Sequence, residues 1–306
     1  MDTPEPVIVI ADLVKDYGNS RALDHVSLDV LKGETLALIG SSGSGKTTLL
    51  KSINGLIPVD SGRIDVYGQS LDAWDLVELR RRIGYVIQEV GLFPHYTIER
   101  NIRLVPELLN WDAARIEDRI DELLERIHIP AEMKKRYPDA LSGGQQQRIG
   151  LARALAADPQ IILMDEPFGA LDPIIRENMQ QEFLTMESLS DKTVLLVTHD
   201  MGEAAILADR ICLLDQGRVQ QTGSLRDLLF DPANDFVRRF LDPHRDELEM
   251  RAVTIRDMDF CIPEEHLSEF DDWNIALADV GSVKSALIRK LYYLNREELM
   301  DKLKRA

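Results

Sequence analysis

Apolar residues along this chain come in short runs. Near the N-terminus "VIVIADL", "VSLDVL" and "TLALIG" are separated by the polar turns "DYGNS" and "LKGE", and their alternation predicts strands that pair antiparallel at first. "TLALIG" is almost wholly apolar, as a strand buried on both faces should be. It runs directly into "SSGSGKTTLLKSINGL", whose apolar residues recur at helical spacing. Four more runs predict buried strands: "IGYVIQ" (83–88), "QIILMDE" (160–166), "TVLLVTHD" (193–200) and "DRICLLDQG" (209–217). Helical stretches lie between them, most clearly 112–128 and 142–157. Strands alternating with helices predict an α/β fold with a mostly parallel sheet covered on both faces, preceded by an antiparallel β subdomain. Residues from about 90 to 157 show helices and no strand pattern, so they are expected to form a helical insertion.

Past "DPANDFVRRFL" the organisation changes. The expected division is a main domain over 1–240 and a mostly helical accessory segment over 241–306. The tail holds fifteen acidic and ten basic residues, with no phosphate-binding or catalytic motif. Val283, Leu287, Leu291 and Leu294 share a stripe of its last helix, and such a stripe wants a covering surface. Either the main domain or a second subunit could supply it, and the second subunit is the expected one.

Composition narrows the partners. The 306 residues are 44% hydrophobic, enough for one large core plus an appendage, and 53 acidic against 36 basic residues leave a net charge of −17. That field repels nucleic-acid phosphates, so DNA and RNA are not expected partners; the run Arg80-Arg81-Arg82 reads as a solvated helix face. Cys212, in an apolar run, and the distant Cys261 suggest neither a disulfide scaffold nor a metal-ligand spacing, which fits a reducing compartment. No secretory signal and no run of roughly 18 apolar residues is legible. A soluble chain is expected, one that meets a membrane only through a partner.

The chemistry begins where strand, glycine loop and helix follow one another. Gly40-Ser41-Ser42-Gly43-Ser44-Gly45-Lys46-Thr47, with Thr48 next, fits G-x-x-x-x-G-K-[ST], a loop whose backbone N–H groups converge on phosphate at a helix N-terminus. Lys46 then reaches the β- and γ-phosphates, and Thr47 offers a hydroxyl to Mg²⁺. "IILMDEP" brings Asp165 out at the carboxyl edge of the sheet, where ligands bind in open α/β folds, and there it can hold Mg²⁺ through the ion's water shell. Glu166, one residue on, is placed to orient and deprotonate an attacking water. Gln88 and His199 close two other buried runs at the same edge, Gln88 for the metal and the water, His199 for the γ-phosphate. A second pairing of glycines with a helix start, "LSGGQQQRIGLARAL" (141–155), reads as another phosphate-binding element.

With these residues in hand the chain resembles the nucleotide-binding subunits of ABC transporters over roughly residues 7–240. Leu141–Gln145, "LSGGQ", is similar to that family's signature and "GALD" (169–172) to its D-loop, while Tyr17 in "KDYG" matches the aromatic that stacks on adenine. The resemblance implies ATP with Mg²⁺, a P-loop NTPase core with a helical signature subdomain, and a head-to-tail pair, most simply a homodimer. In that pair Ser142, Gly143, Gly144 and Gln145 of one subunit face the ATP held by the other, and Asp172 lies at the seam. It also implies transmembrane permease subunits, an extracytoplasmic solute-binding protein, and a peripheral place on the cytoplasmic face of the inner membrane. "IGYVIQEVGLFPHYTIERNI" and "DEPFGALDP" resemble the importer branch for glycine betaine, carnitine or choline, with Phe93, Pro94, His95 and Tyr96 as candidates for permease contact. The tail is too short for the tandem CBS pair many members of that branch carry. An importer of another solute, such as a polyamine or an oxyanion, and a non-transport envelope regulator remain open alternatives.

Overall fold

The computed structural model describes residues 5–304 apart from 89–90, 170, 187–188, 190, 255–256, 259–261, 263–275 and 278–281, and the side chains of 282–290 and 297 also lie outside what it describes. Cys261 therefore falls outside it, as do the side chains of Val283 and Leu287. The strands are β1 (Pro6–Asp16), β2 (Arg21–Leu31), β3 (Thr35–Ile39), β4 (Ser61–Val66), β5 (Gln69–Ser70), β6 (Ile83–Val86), β7 (Ile161–Asp165), β8 (Thr193–Val197), β9 (Arg210–Asp215) and β10 (Arg218–Gly223). The helices are α1 (Lys46–Ile53), α2 (Leu76–Arg82), α3 (Ile98–Leu108), α4 (Ala113–Arg126), α5 (Gly143–Leu155), α6 (Pro173–Thr185), α7 (Met201–Leu207), α8 (Leu225–Phe230), α9 (Asp235–Leu241), α10 (Arg245–Ala252) and a C-terminal helix, Ser282–Leu303.

Two sheets organise the main domain. The first is antiparallel, in the order β2-β1-β4-β5; the second runs β10-β9-β3-β8-β7-β6 and is parallel except for the β9–β10 hairpin at its edge. β7 and β8 are buried along their whole length, which explains why their sequences carry no alternation. β4 and β10 escaped the reading from apolar runs because they are polar: "SGRIDV" is exposed over its first half, and "RVQQTG" is an edge strand with no fully buried residue.

Helices cover both faces of the core sheet. Between β6 and β7 the chain builds only helices and turns among the described residues: α3, capped by Thr97, α4, capped by Asp112, and α5, capped by Ser142. Their inward residues Ile98, Ile102, Ile116, Ile120, Leu123 and Ile149 form one apolar cluster with Val86, Ile162 and Met164 of the sheet.

The tail does not stand apart. α9 ends at Leu241, and beyond it Leu248, Val253, Tyr292 and Leu299 join Ala37, Ile39, Met201 and Ile211 in a single buried cluster. The carboxylate of Glu249, itself buried, receives hydrogen bonds from the Tyr292 hydroxyl and from Arg296 Nε (2.9 Å), and Arg245 lies 3.2 Å from its other oxygen. Of the stripe expected to cover another surface, Leu291 packs on this chain's own cluster, whereas Leu294 is 70% exposed. Among the described side chains of this helix, Tyr292 and Leu299 are buried in the same cluster. No described helix is long and apolar enough to cross a membrane.

Candidate nucleotide site

β3 delivers the glycine loop and α1 receives it. Gly40 and Gly45 both have positive φ, 154° and 106°, and a Cβ on either would clash with a backbone oxygen, that of Leu214 or of Ala22. Only glycine lets the loop press this closely against β9 and β2. Gly45 also caps α1 without a side chain, which leaves the helix N-terminus open to an anion. Lys46 folds back over the loop, its Nζ donating to the carbonyls of Gly40 (2.8 Å) and Ser41 (2.9 Å). Burial lowers its pKa, opposed by the nearby carboxylates of Glu166 and Asp165.

The carboxylates arrive from β7. Asp165 is its last residue and is buried, and Thr47 Oγ1 donates to its Oδ1 at 3.0 Å. Burial raises the pKa of Asp165, with the Thr47 hydrogen bond pulling the other way. Glu166 turns out of the sheet with φ +46°, a conformation that a non-glycine residue rarely adopts and that throws its side chain towards the loop. Its N–H remains tied to the Val197 carbonyl at 2.9 Å. Gln88 Nε2 donates to Glu166 Oε2 at 3.1 Å, and His199 Nδ1 lies 3.2 Å from the same oxygen.

One cavity of about 510 Å³ is lined by Ser42, Gly43, Ser44, Gly45, Lys46, Thr47, Thr48, Gln88, Glu166 and His199. All ten are among the residues the sequence pattern singles out. Gly40 and Asp165, both buried, are not part of this lining, nor is the exposed Ser41, whose hydroxyl lies 3.4 Å from Asp215. Within one chain the fold does not bring the other candidates into the cavity. Tyr17 stands on the β1–β2 hairpin, 55% exposed, with Lys15 Nζ over its ring at 5.4 Å. Ser142 and Gly143 are exposed at the start of α5, and Gly144 is pressed against Ile175, where an added Cβ would come within 2.9 Å. Gln145 is engaged locally: it closes a capping box, its Oε1 accepting from Ser142 N at 3.0 Å. Asp172 caps α6 through Ile175 N at 3.1 Å.

Sequence reading missed three supporting residues near these positions. Asn101, fully buried, accepts from Phe93 N at 2.8 Å and donates to the carbonyls of Phe93, Tyr96 and Thr97, so it fixes the loop of Phe93–Tyr96. Asp200 and Glu203 flank the turn that carries His199. A polar residue at buried helical phase is the only signal Asn101 and Glu203 offered.

A strand, a glycine loop with its lysine, and a buried carboxylate at a strand end followed by a second acid at the sheet edge together define the nucleotide site of a P-loop NTPase. The ABC transporter family profile matches residues 23–169. Over 281 residues the chain is 45% identical to the glycine betaine uptake system ATP-binding protein YehX of Escherichia coli, covering 92% of this chain and 89% of that one. It is 52% identical over 228 residues to the glycine betaine/carnitine/choline transport ATP-binding protein OpuCA of Bacillus subtilis, covering 74% of this chain but only 60% of that longer one. A dimeric post-hydrolysis structure of the ATP-binding cassette MJ0796 bound to ADP and Pi superposes with TM-score 0.63 at 32% identity, over 71% of this chain and 98% of that one. The chain belongs to the ABC transporter family, as an ATP-binding subunit.

Proposed function

We propose that two copies of this chain close head to tail around two ATP molecules and that their hydrolysis powers an importer of quaternary-ammonium osmoprotectants: glycine betaine, carnitine or choline. The observation that carries the paired site is a separation. The P-loop, Gln88, Glu166 and His199 share a cavity, while the exposed Ser142 and Gly143, at an uncovered helix start, lie outside its lining. A second subunit supplies the missing phosphate ligands most simply, and the dimeric cassette neighbour supports that arrangement.

In this reading phosphate oxygens replace the Gly40 and Ser41 carbonyls as acceptors for Lys46. Thr47 and Asp165 offer hard oxygen donors, which fit Mg²⁺, and no described group of three or more acidic, histidine or cysteine side chains forms a protein-only metal cage. Mg²⁺, when bound, neutralises charge on the phosphates. Gln88 and His199 both engage Oε2 of Glu166, which orients the carboxylate and assigns Oε1 to the attacking water's proton. Asp172, capping α6 on an exposed loop, serves the subunit seam, and Tyr17 offers a ring to adenine.

We assign permease contact to Phe93, Pro94, His95 and Tyr96. The rings of Phe93, His95 and Tyr96 cluster edge-on or tilted with centroids 4.4–6.0 Å apart, and Phe93 borders a second cavity of about 370 Å³ between β6, α3 and α5. The subunit would thus act at the cytoplasmic membrane face, with an extracytoplasmic binding protein delivering solute. Residues 241–306 form an accessory segment that buttresses the ATPase domain.

The paired site is tested by mixing. Lys46→Ala and Gly143→Asp subunits each lack one half-site, but a mixed dimer keeps one intact composite site and should recover part of the ATP-dependent association; no recovery would count against sharing. For the solute, deleting the gene in a strain cleared of redundant systems should abolish uptake of labelled betaine, carnitine or choline. Unchanged uptake of all three would overturn that assignment.

A further inference from the structure

Glu166 and His199 touch at the front of the cavity, and a second chain of contacts joins them from behind. After Glu166 the backbone turns tightly: Gly169 N donates to Glu166 O at 3.1 Å and Leu171 N to Phe168 O at 3.2 Å. Arg176, on the first turn of α6, reaches back into this turn, Nη2 donating to Leu171 O at 3.2 Å and to Gly169 O at 3.5 Å. Its Nη1 lies 3.7 Å from Asp200 Oδ2. Asp200 directly follows His199. Its N–H donates to Thr198 Oγ1 (3.0 Å), Thr198 Oγ1 donates to Glu203 Oε2 (3.1 Å), and Asp200 Oδ1 accepts from Glu203 N (3.2 Å). His199 is therefore bracketed by two residues locked into one small ring.

We propose that Arg176 is a positioning residue for hydrolysis, holding the turn after Glu166 at a fixed distance from the turn that carries His199. The guanidinium suits this because its donors form a rigid planar fork. One prong holds two carbonyls and the other faces a carboxylate, so neither turn can shift without breaking a contact. Catalytic groups must be held to within about 0.5 Å, and a misplacement of about 1 Å can cost on the order of 10²-fold in rate. None of the contacts described for Arg176 is to the P-loop or to the cavity lining, so ATP binding at its own chain's P-loop should not depend on it. The inference rests on reading Glu166 as the base and His199 as the γ-phosphate sensor.

The experiment is steady-state ATP hydrolysis with Mg²⁺ by the full chain and its variants, with Tm measured alongside. Arg176→Ala should lower kcat roughly 10- to 100-fold with KM for ATP within about twofold and little change in Tm. Arg176→Lys keeps the charge but loses the fork, so it should recover only part of kcat. Asp200→Asn retains a helix-capping side chain and should reproduce the kcat loss, and the double variant Arg176→Ala/Asp200→Asn should be no slower than the worse single one. Full rescue by Lys, additive losses, or a kcat that falls only in step with Tm would overturn the proposal. Glu166→Gln separates the two readings. If it is inactive while Arg176→Ala turns over normally, only the positioning role falls; if it hydrolyses normally, the base assignment falls and takes the positioning role with it.

Discussion

Glu203 is a carboxyl held where water barely reaches. It is 5% exposed, and its Oε1 has no partner among the described residues. Burial pushes its pKa from 4.5 up to about 7, the neighbouring carboxylates of Asp200 and Glu166 push the same way, and the Thr198 hydrogen bond and the Arg176 charge oppose them. An acid whose pKa is raised by folding contributes stability in its neutral form. That contribution is complete below the unfolded value and is lost as pH rises through the folded one. The window here runs from about 4.5 to about 7, and a shift of that size corresponds to about 3 kcal/mol. Glu203→Gln still accepts from Thr198 and never ionises. It should exceed the parent in stability by up to about 3 kcal/mol at pH 8 and show no gain at pH 4.5. Urea unfolding at the two pH values measures the difference.

Among the elements, the C-terminal helix is where sequence and structure part. Its apolar spacing was legible, but its direction was not, since the buried face is chosen by tertiary partners. Tyr292 turns inward because its hydroxyl has the buried Glu249 to meet, a pairing 43 residues apart that no local pattern announces. β4 and β10 were missed for a related reason: an edge or half-exposed strand carries too few apolar residues to stand out. The residues that line the cavity were legible because phosphate chemistry demands particular residue types at fixed spacings next to strand ends. Arg176 and Asp200 gave no such signal, as they meet only after α6 and α7 pack. Removing residues 245–306 should uncover Ala37, Ile39, Met201 and Ile211, the sheet and α7 side of the shared cluster. The truncated chain should melt at least several degrees lower and bind a hydrophobic dye that the full chain ignores. Equal Tm values would show that the tail is not part of the ATPase core.

At the scale of the whole molecule, the separation of the cavity from the exposed start of α5 makes the reaction bimolecular in protein. On the proposed reading a lone chain holds the P-loop, Gln88, Glu166 and His199 in one cavity, yet lacks a partner's Ser142 and Gly143 beside it. Its turnover per mole should therefore climb with its own concentration and level off only when pairs predominate. The net charge of −17 adds mutual repulsion to that encounter, so the climb should be shallower at low salt and move to lower protein concentration as salt screens it. Two permeases side by side would change the kinetic order. By tethering two copies they replace bulk concentration with a local one, which for short flexible links is on the order of millimolar. Encounter then ceases to limit the cycle, and its pace passes to the conformations of the membrane partners.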